Sequence, residues 1–146
     1  KESLGEVSRF QMEQAALNDD IIKDPGNAKL YYNLANWYAD RGLKKLAIHN
    51  YDKAIELDGQ LAEAYNNRGS LYQEKGLFNK AMLDYDKAIE LKPELSQAYF
   101  NKALLFEKEG KTQKAIEAYN AFIKFAPSDN PVPINLALKK LKKFKK

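Results

Sequence analysis

The chain has 146 residues, 45% of them hydrophobic, and 24 basic against 20 acidic side chains for a net charge of +4. That is one domain's worth of sequence with enough apolar material for a core. Cys is absent and His49 is the only His, which removes disulfide frameworks, thiol nucleophiles, Cys/His zinc sites and every His-based triad or general base.

The elements follow in chain order. Residues 4–22 place Leu4, Val7, Phe10, Leu17 and Ile21 on one helical stripe, and IIKDPGN at 21–27 closes it. From there the chain repeats itself every 34 residues. Tyr31, Tyr65 and Tyr99 align, as do Ala35, Gly69 and Ala103; Tyr38, Tyr72 and Phe106; Ala47, Ala81 and Ala115; Tyr51, Tyr85 and Tyr119; Ile55, Ile89 and Ile123. Pro25, Pro93 and Pro127, with Gly59 at the remaining place, punctuate the units. Apolar residues recur at three- and four-residue steps inside each unit, which predicts paired helices at about 28–40 and 44–57, 62–74 and 78–91, and 96–108 and 112–125. Gly42, Gly76 and Gly110 fall between the two helices of a unit, where the reversal needs a residue that accepts positive φ. Asn130 and Pro131 read as an N-cap and a first-turn proline for a last helix over about 131–144. That helix carries Ile134, Ala137, Leu138, Leu141 and Phe144 on one face and lysines opposite. Segments 1–24 and 130–146 are therefore expected to cap the units 28–61, 62–95 and 96–129.

Small residues at Ala35, Gly69 and Ala103, facing Ala47, Ala81 and Ala115, let paired helices approach closely, and the Tyr columns are expected to fill spaces between neighbouring pairs. YYNLANWY at 31–38, the mid-unit Gly, the Ala-x-x-x-Tyr of each second helix and the terminal DP or KP together resemble the tetratricopeptide repeat family. The resemblance covers 102 residues in three copies, with Phe122 departing from Ala54 and Ala88 and Gly59 from the usual Pro. It implies an all-α, right-handed α-solenoid (superhelix) of helix-turn-helix pairs with about eight helices. It also implies a concave surface lined by the first helix of each pair.

On that reading the expected peptide-binding residues are Tyr32, Asn33 and Asn36 from the first unit, Asn66, Asn67 and Ser70 from the second, Phe100, Asn101 and Leu104 from the third, and Asn135 beyond them. Asn33, Asn67, Asn101 and Asn135 stand 34 residues apart. A carboxamide both donates and accepts, as an extended peptide backbone requires, and the row resembles an asparagine ladder found in this family. Chaperone-adaptor members clamp a peptide's C-terminal carboxylate with Lys, Asn and Arg. The matching places here hold Tyr32, Asn36, Asn67, Gln97 and Asn101, without a cation, so no binding of Hsp70 or Hsp90 tails by that mechanism is expected.

Trp37 is expected against the N-terminal helix and His49 on the surface. Glu56–Asp58, Asp84–Asp86 and Glu107–Glu109 read as solvated faces with local ion pairs. No phosphate-cradling, calcium-loop or zinc motif occurs, so no cofactor or metal is expected. Six of the last eight residues are Lys (Lys139, Lys140, Lys142, Lys143, Lys145, Lys146), and the rest of the chain carries 18 basic and 20 acidic side chains. The positive balance thus belongs to one terminus and makes no strong case for nucleic acid or membrane. No apolar run reaches the ~18 residues of a spanning helix and no signal-peptide stretch opens the chain. A soluble protein is expected, with the cytoplasm favoured, and a chain that opens on Lys1 reads as a processed or excised piece. The functional expectation is a non-enzymatic scaffold or adaptor with a protein or peptide partner in its groove. The alternative is an oligomerisation module that self-associates through its terminal helices.

Overall fold

The computed structural model describes residues 4–145, with the side chains of Leu4, Glu6 and Val7 outside the description. The described residues form eight α-helices: α1 (Leu4–Lys23), α2 (Ala28–Asp40), α3 (Lys44–Leu57), α4 (Ala62–Glu74), α5 (Phe78–Leu91), α6 (Ser96–Lys108), α7 (Thr112–Phe125) and α8 (Pro131–Phe144). The chain is an all-α helical solenoid, and its helix limits match the predicted ones to within one residue. Two compact units divide it, residues 1–60 and 61–146, with the boundary beside Gly59. No described helix is long and apolar enough to cross a membrane.

The reversals are built alike. Gly42, Gly76 and Gly110 have φ of +73°, +77° and +74°. The next amide in each case, from Leu43, Leu77 and Lys111, returns to the carbonyl of Tyr38, Tyr72 and Phe106 at 3.0, 2.8 and 2.8 Å. This is the Schellman closure, which satisfies carbonyls the helix leaves without partners and requires a left-handed residue at the turn. Asn27 caps α2 by accepting from the Lys29 amide at 3.1 Å. Asn130 occupies the N-cap place of α8, yet its side chain makes no capping bond; Pro131 alone supplies the expected start.

In the first unit α2 packs on α3 through Ala35, Ala47, Tyr51 and Ala54, all buried. α1 docks on α2 through Trp37: the Phe10 ring lies 4.7 Å away, the indole N–H donates to Glu13 at 3.0 Å, and the Arg41 guanidinium stacks 3.9 Å above the ring. The bond from Trp37, then that from Arg9, holds the Glu13 carboxyl below its ordinary pKa. Leu17 and Ile21 of the expected stripe are half-buried, Leu4 and Val7 lie outside the described side chains, and His49 is exposed.

In the second unit each helix from α4 to α8 packs on the next. Ala81, Ala103 and Ala115 have no accessible surface, and at Gly69 the approach is closest: a Cβ there would lie 2.9 Å from Tyr85 Cε1. The buried tyrosines do more than fill gaps between pairs. Tyr85 donates to Gln73 and Tyr119 to Glu107, each at 2.7 Å and each within its own pair; in the first unit Tyr51 donates to Asn36 in the same way.

Two expectations are corrected. Asp84 is not on a solvated face: it is 5% exposed, and the Arg68 guanidinium holds both carboxylate oxygens, at 2.9 and 2.8 Å. Leu138 does not join the apolar face of α8, being 49% exposed while Ala137 beside it is buried. The ridge that meets α7 runs through Ile134, Ala137, Leu141 and Phe144, and Leu138 is turned one helical step away from it. Lys140 on that helix reaches Glu107 at 3.1 Å.

Candidate peptide-binding groove

Within the second unit, α4 and α6 bring their amide side chains together. Asn101 Nδ2 donates to Asn66 Oδ1 at 3.0 Å, and Asn66 Nδ2 makes a longer contact of 3.5 Å with Asn67 Oδ1. Asn66 is therefore a link between the two helices, 3% exposed, at the inner edge of a pocket of about 570 Å³. Asn67 and Asn101 remain half-buried at the edge of that pocket. Asn66, Ser70, Gln97 and Phe100 also border it.

One wall of the pocket is aromatic. Phe100 meets Phe122 edge-on at 5.1 Å and Tyr119 at 5.7 Å, and Phe122 and Phe125 complete the lining with Leu95. Lys92 stands at the rim and donates to Glu63 at 2.8 Å. That bond, against the opposing effect of burial, holds the Glu63 carboxyl below its ordinary range. The result is a wall that can take an apolar side chain beside amides that can bond a main chain.

The remaining expected site residues are placed differently. Leu104 is half-buried on α6 and Asn135 is exposed on α8; neither lines this pocket. In the first unit, Tyr32 packs its ring against Tyr51 at 6.1 Å, Asn36 accepts the Tyr51 hydroxyl, and Asn33 is exposed on the same helix. Sequence reasoning missed Lys92, Leu95, Phe122, Phe125 and the 126–133 segment of the lining. The signal was present at Phe122, which stands where Ala54 and Ala88 stand and so brings a ring to the groove end of α7.

Comparison with known proteins gives a consistent result. Three tetratricopeptide repeat models match residues 38–76, 62–95 and 84–117. No curated protein sequence matches. Among solved structures, the chain is similar to the crystal structure of MamA, at 26% identity and a TM-score of 0.73 over 98% of this chain and 93% of that one. It is similar in fold to the Arabidopsis OM64 TPR domain, at 23% identity and 0.72 over 81% and 96%. The first TPR of Spaghetti (RPAP3), solved bound to the HSP90 peptide SRMEEVD, is alike at 23% identity and 0.71 over 82% and 90%. Period, turn chemistry and matching models agree that the chain belongs to the tetratricopeptide repeat family.

Proposed function

We propose that the protein is a non-catalytic scaffold that holds an extended peptide in the groove of its second unit, with Asn67 and Asn101 bonding the peptide main chain and the Phe100–Phe122–Phe125 wall seating an apolar side chain. A tetratricopeptide fold supports a protein–protein interaction scaffold in general, and such modules are typically non-catalytic. The observation that carries the finer reading is the meeting of half-buried carboxamides and an aromatic wall around one pocket. Asn66 and Ser70 border the site from α4, while Leu104 and Asn135 lie outside the pocket lining. Tyr32, Asn33 and Asn36 are the counterpart first-helix residues of the first unit.

A carboxylate clamp is no part of this function. Spaghetti carries an HSP90 peptide, but the places that would need cations here hold Tyr32, Gln97 and Asn101. Lys92, the cation at the pocket rim, is already bonded to Glu63.

The test is to select peptides against the protein from a random display library and measure their affinity by titration calorimetry. Asn67→Ala with Asn101→Ala should weaken the selected peptides about tenfold or more, which corresponds to about 1.4 kcal/mol, with the helical signal unchanged. Equal affinity for the double variant overturns the assignment.

A second reading, self-association through α8, is favoured by the exposure of Val132, Leu136 and Leu138 at 73%, 45% and 49%. Leu136→Lys with Leu138→Lys should then lower the sedimentation mass; a wild type that stays monomeric across the concentration range removes this reading.

A further inference from the structure

On the face of the second unit that carries Arg68 and Lys102, the two helix pairs differ where Asp84 stands. In the pair α4–α5, Arg68 reaches the buried carboxylate of Asp84 and lies near the rings of Tyr65 and Tyr72, at 5.5 and 5.7 Å. Lys80 approaches Tyr72 from the second helix at 5.4 Å. Thirty-four residues on, the pair α6–α7 keeps the frame: Tyr99 and Phe106 replace the rings, and Lys102 and Lys114 stand 5.7 and 5.8 Å from Phe106. The carboxylate is missing, because Ala118 stands for Asp84, and Ala121 stands for Lys87.

Where those side chains are lost there is a cavity of about 570 Å³, lined by Met82, Tyr99, Lys102, Phe106, Ala118 and Ala121 among others. Lys102 turns across it to Asp86 on α5, at 2.7 Å, and that Asp86 side chain is 54% exposed. The Lys102 side chain is 22% exposed, so the pair is open to solvent chiefly on the Asp86 side, and an incoming carboxylate replaces that bond instead of adding to it. The rim carries Lys111, bonded to Glu109 at 2.9 Å, and Glu117.

We infer that this cavity is a second docking site, which takes the carboxylate of a glutamate side chain presented by a protein partner in the place where the preceding pair carries Asp84. Lys102 receives the carboxylate as Arg68 receives Asp84, and the methylenes of the glutamate lie on Phe106 and Met82. Ala118 and Ala121 supply the room. The site needs neither Asn67 nor Asn101, so it stands or fails independently of the amide groove.

The test uses backbone amide chemical shifts of the whole chain during titration with an acetylated, amidated peptide of alternating glutamate and leucine. Its glutamine counterpart and sodium acetate are run in parallel. The glutamate peptide should shift the amides of Lys102, Phe106, Ala118 and Ala121, the glutamine peptide should not, and acetate should do so only at far higher concentration. Ala118→Asp supplies the missing carboxylate from within and should weaken the peptide at least tenfold. Lys102→Gln, which removes the charge and lies outside the buried core, should do the same and keeps the test open if the first variant folds poorly. The proposal is overturned by equal shifts from the two peptides, by unchanged binding in both variants, by acetate matching the peptide, or by shifts confined to the lysines of α8 or to the amide groove.

Discussion

Gly69 is a position in the second unit where packing leaves no room for a side chain. A methyl group built there would lie 2.9 Å from Tyr85 Cε1 and 3.0 Å from Asp84 Cβ and Tyr85 Cδ1, inside the 3.5–4.0 Å at which carbon atoms attract. Tyr85 is fully buried and bonded to Gln73, and Asp84 is held at both oxygens by Arg68, so neither neighbour yields alone. Overpacking of this kind costs about 1–3 kcal/mol, and replacing a mid-helix Gly returns about 1 kcal/mol of propensity. With both neighbours held, the upper part of that range applies, about 2–3 kcal/mol, and Gly69→Ala should therefore lose roughly 1–2 kcal/mol net. Asp84→Ala leaves Arg68 without its carboxylate; the guanidinium side chain is 18% exposed, so the loss should fall below that of a fully buried pair, at about 2–3 kcal/mol. The pair α6–α7 accommodates the same crossing with Ala103 against Ala118. Freed from Arg68, α5 can give the few tenths of an ångström the methyl requires. The double variant should thus be less damaged than the sum of the singles, by at least ~0.5 kcal/mol. Urea unfolding followed by far-UV circular dichroism measures all four proteins. A Gly69→Ala protein as stable as the wild type, or strict additivity, refutes this account of the close approach.

Gly76→Ala meets no atom within 4 Å, so its whole cost is the positive φ, about 1–2 kcal/mol, whereas Gly26→Ala, equally open and without positive φ, should change stability by less than ~0.5 kcal/mol; the same urea series compares them. Burial, aided by nearby carboxylates, pushes the phenols of Tyr85 and Tyr119 above their ordinary pKa of 10.0. Folded values above the unfolded one mean that this stability is complete below pH about 10 and is lost as pH rises further. Tyr119→Phe should flatten that alkaline decline in pH-dependent melts while costing about 1 kcal/mol at neutral pH through the lost bond to Glu107. At the acid end burial acts to raise the Glu107 pKa, but the bonds from Tyr119 and Lys140 outweigh it and leave the pKa lowered. Its contribution is therefore present above the ordinary carboxylate value of 4.5 and lost as pH falls below it, and Glu107→Gln should reduce the acid-side slope of the melting curve.

What the sequence made legible was local. Helix limits follow from a three-to-four-residue periodicity and from Gly42, Gly76 and Gly110, whose positive φ is dictated within a few residues of chain. Asp84 was misjudged because its partner Arg68 lies sixteen residues away on another helix, and Asp84 packs against the bare backbone of Gly69. Asn66 borders the pocket as helix phase implies, but its near-complete burial was not legible, because Asn101 reaches across from α6 to bond it. Phe122 was visible as a departure from alanine, whereas its edge-on contact with Phe100 depends on how α6 and α7 meet.

These failures share a feature that bears on function. Among the columns alike in every copy, Ala81 with Ala115 and Tyr85 with Tyr119 are buried and hold a pair together; being common to all pairs, they cannot distinguish one partner from another. Specificity has to come from columns where the copies differ. In the second unit three such differences fall on neighbouring positions of α7: Ala118 for Asp84, Ala121 for Lys87 and Phe122 for Ala88. The first two border the cavity beside Lys102, and the third borders the amide groove. A helix whose alanine and tyrosine columns preserve the pair, while its other positions shape two recesses, can acquire a partner without losing its fold. Repeat architecture allows this separation because each helix pair rests chiefly on its immediate neighbours.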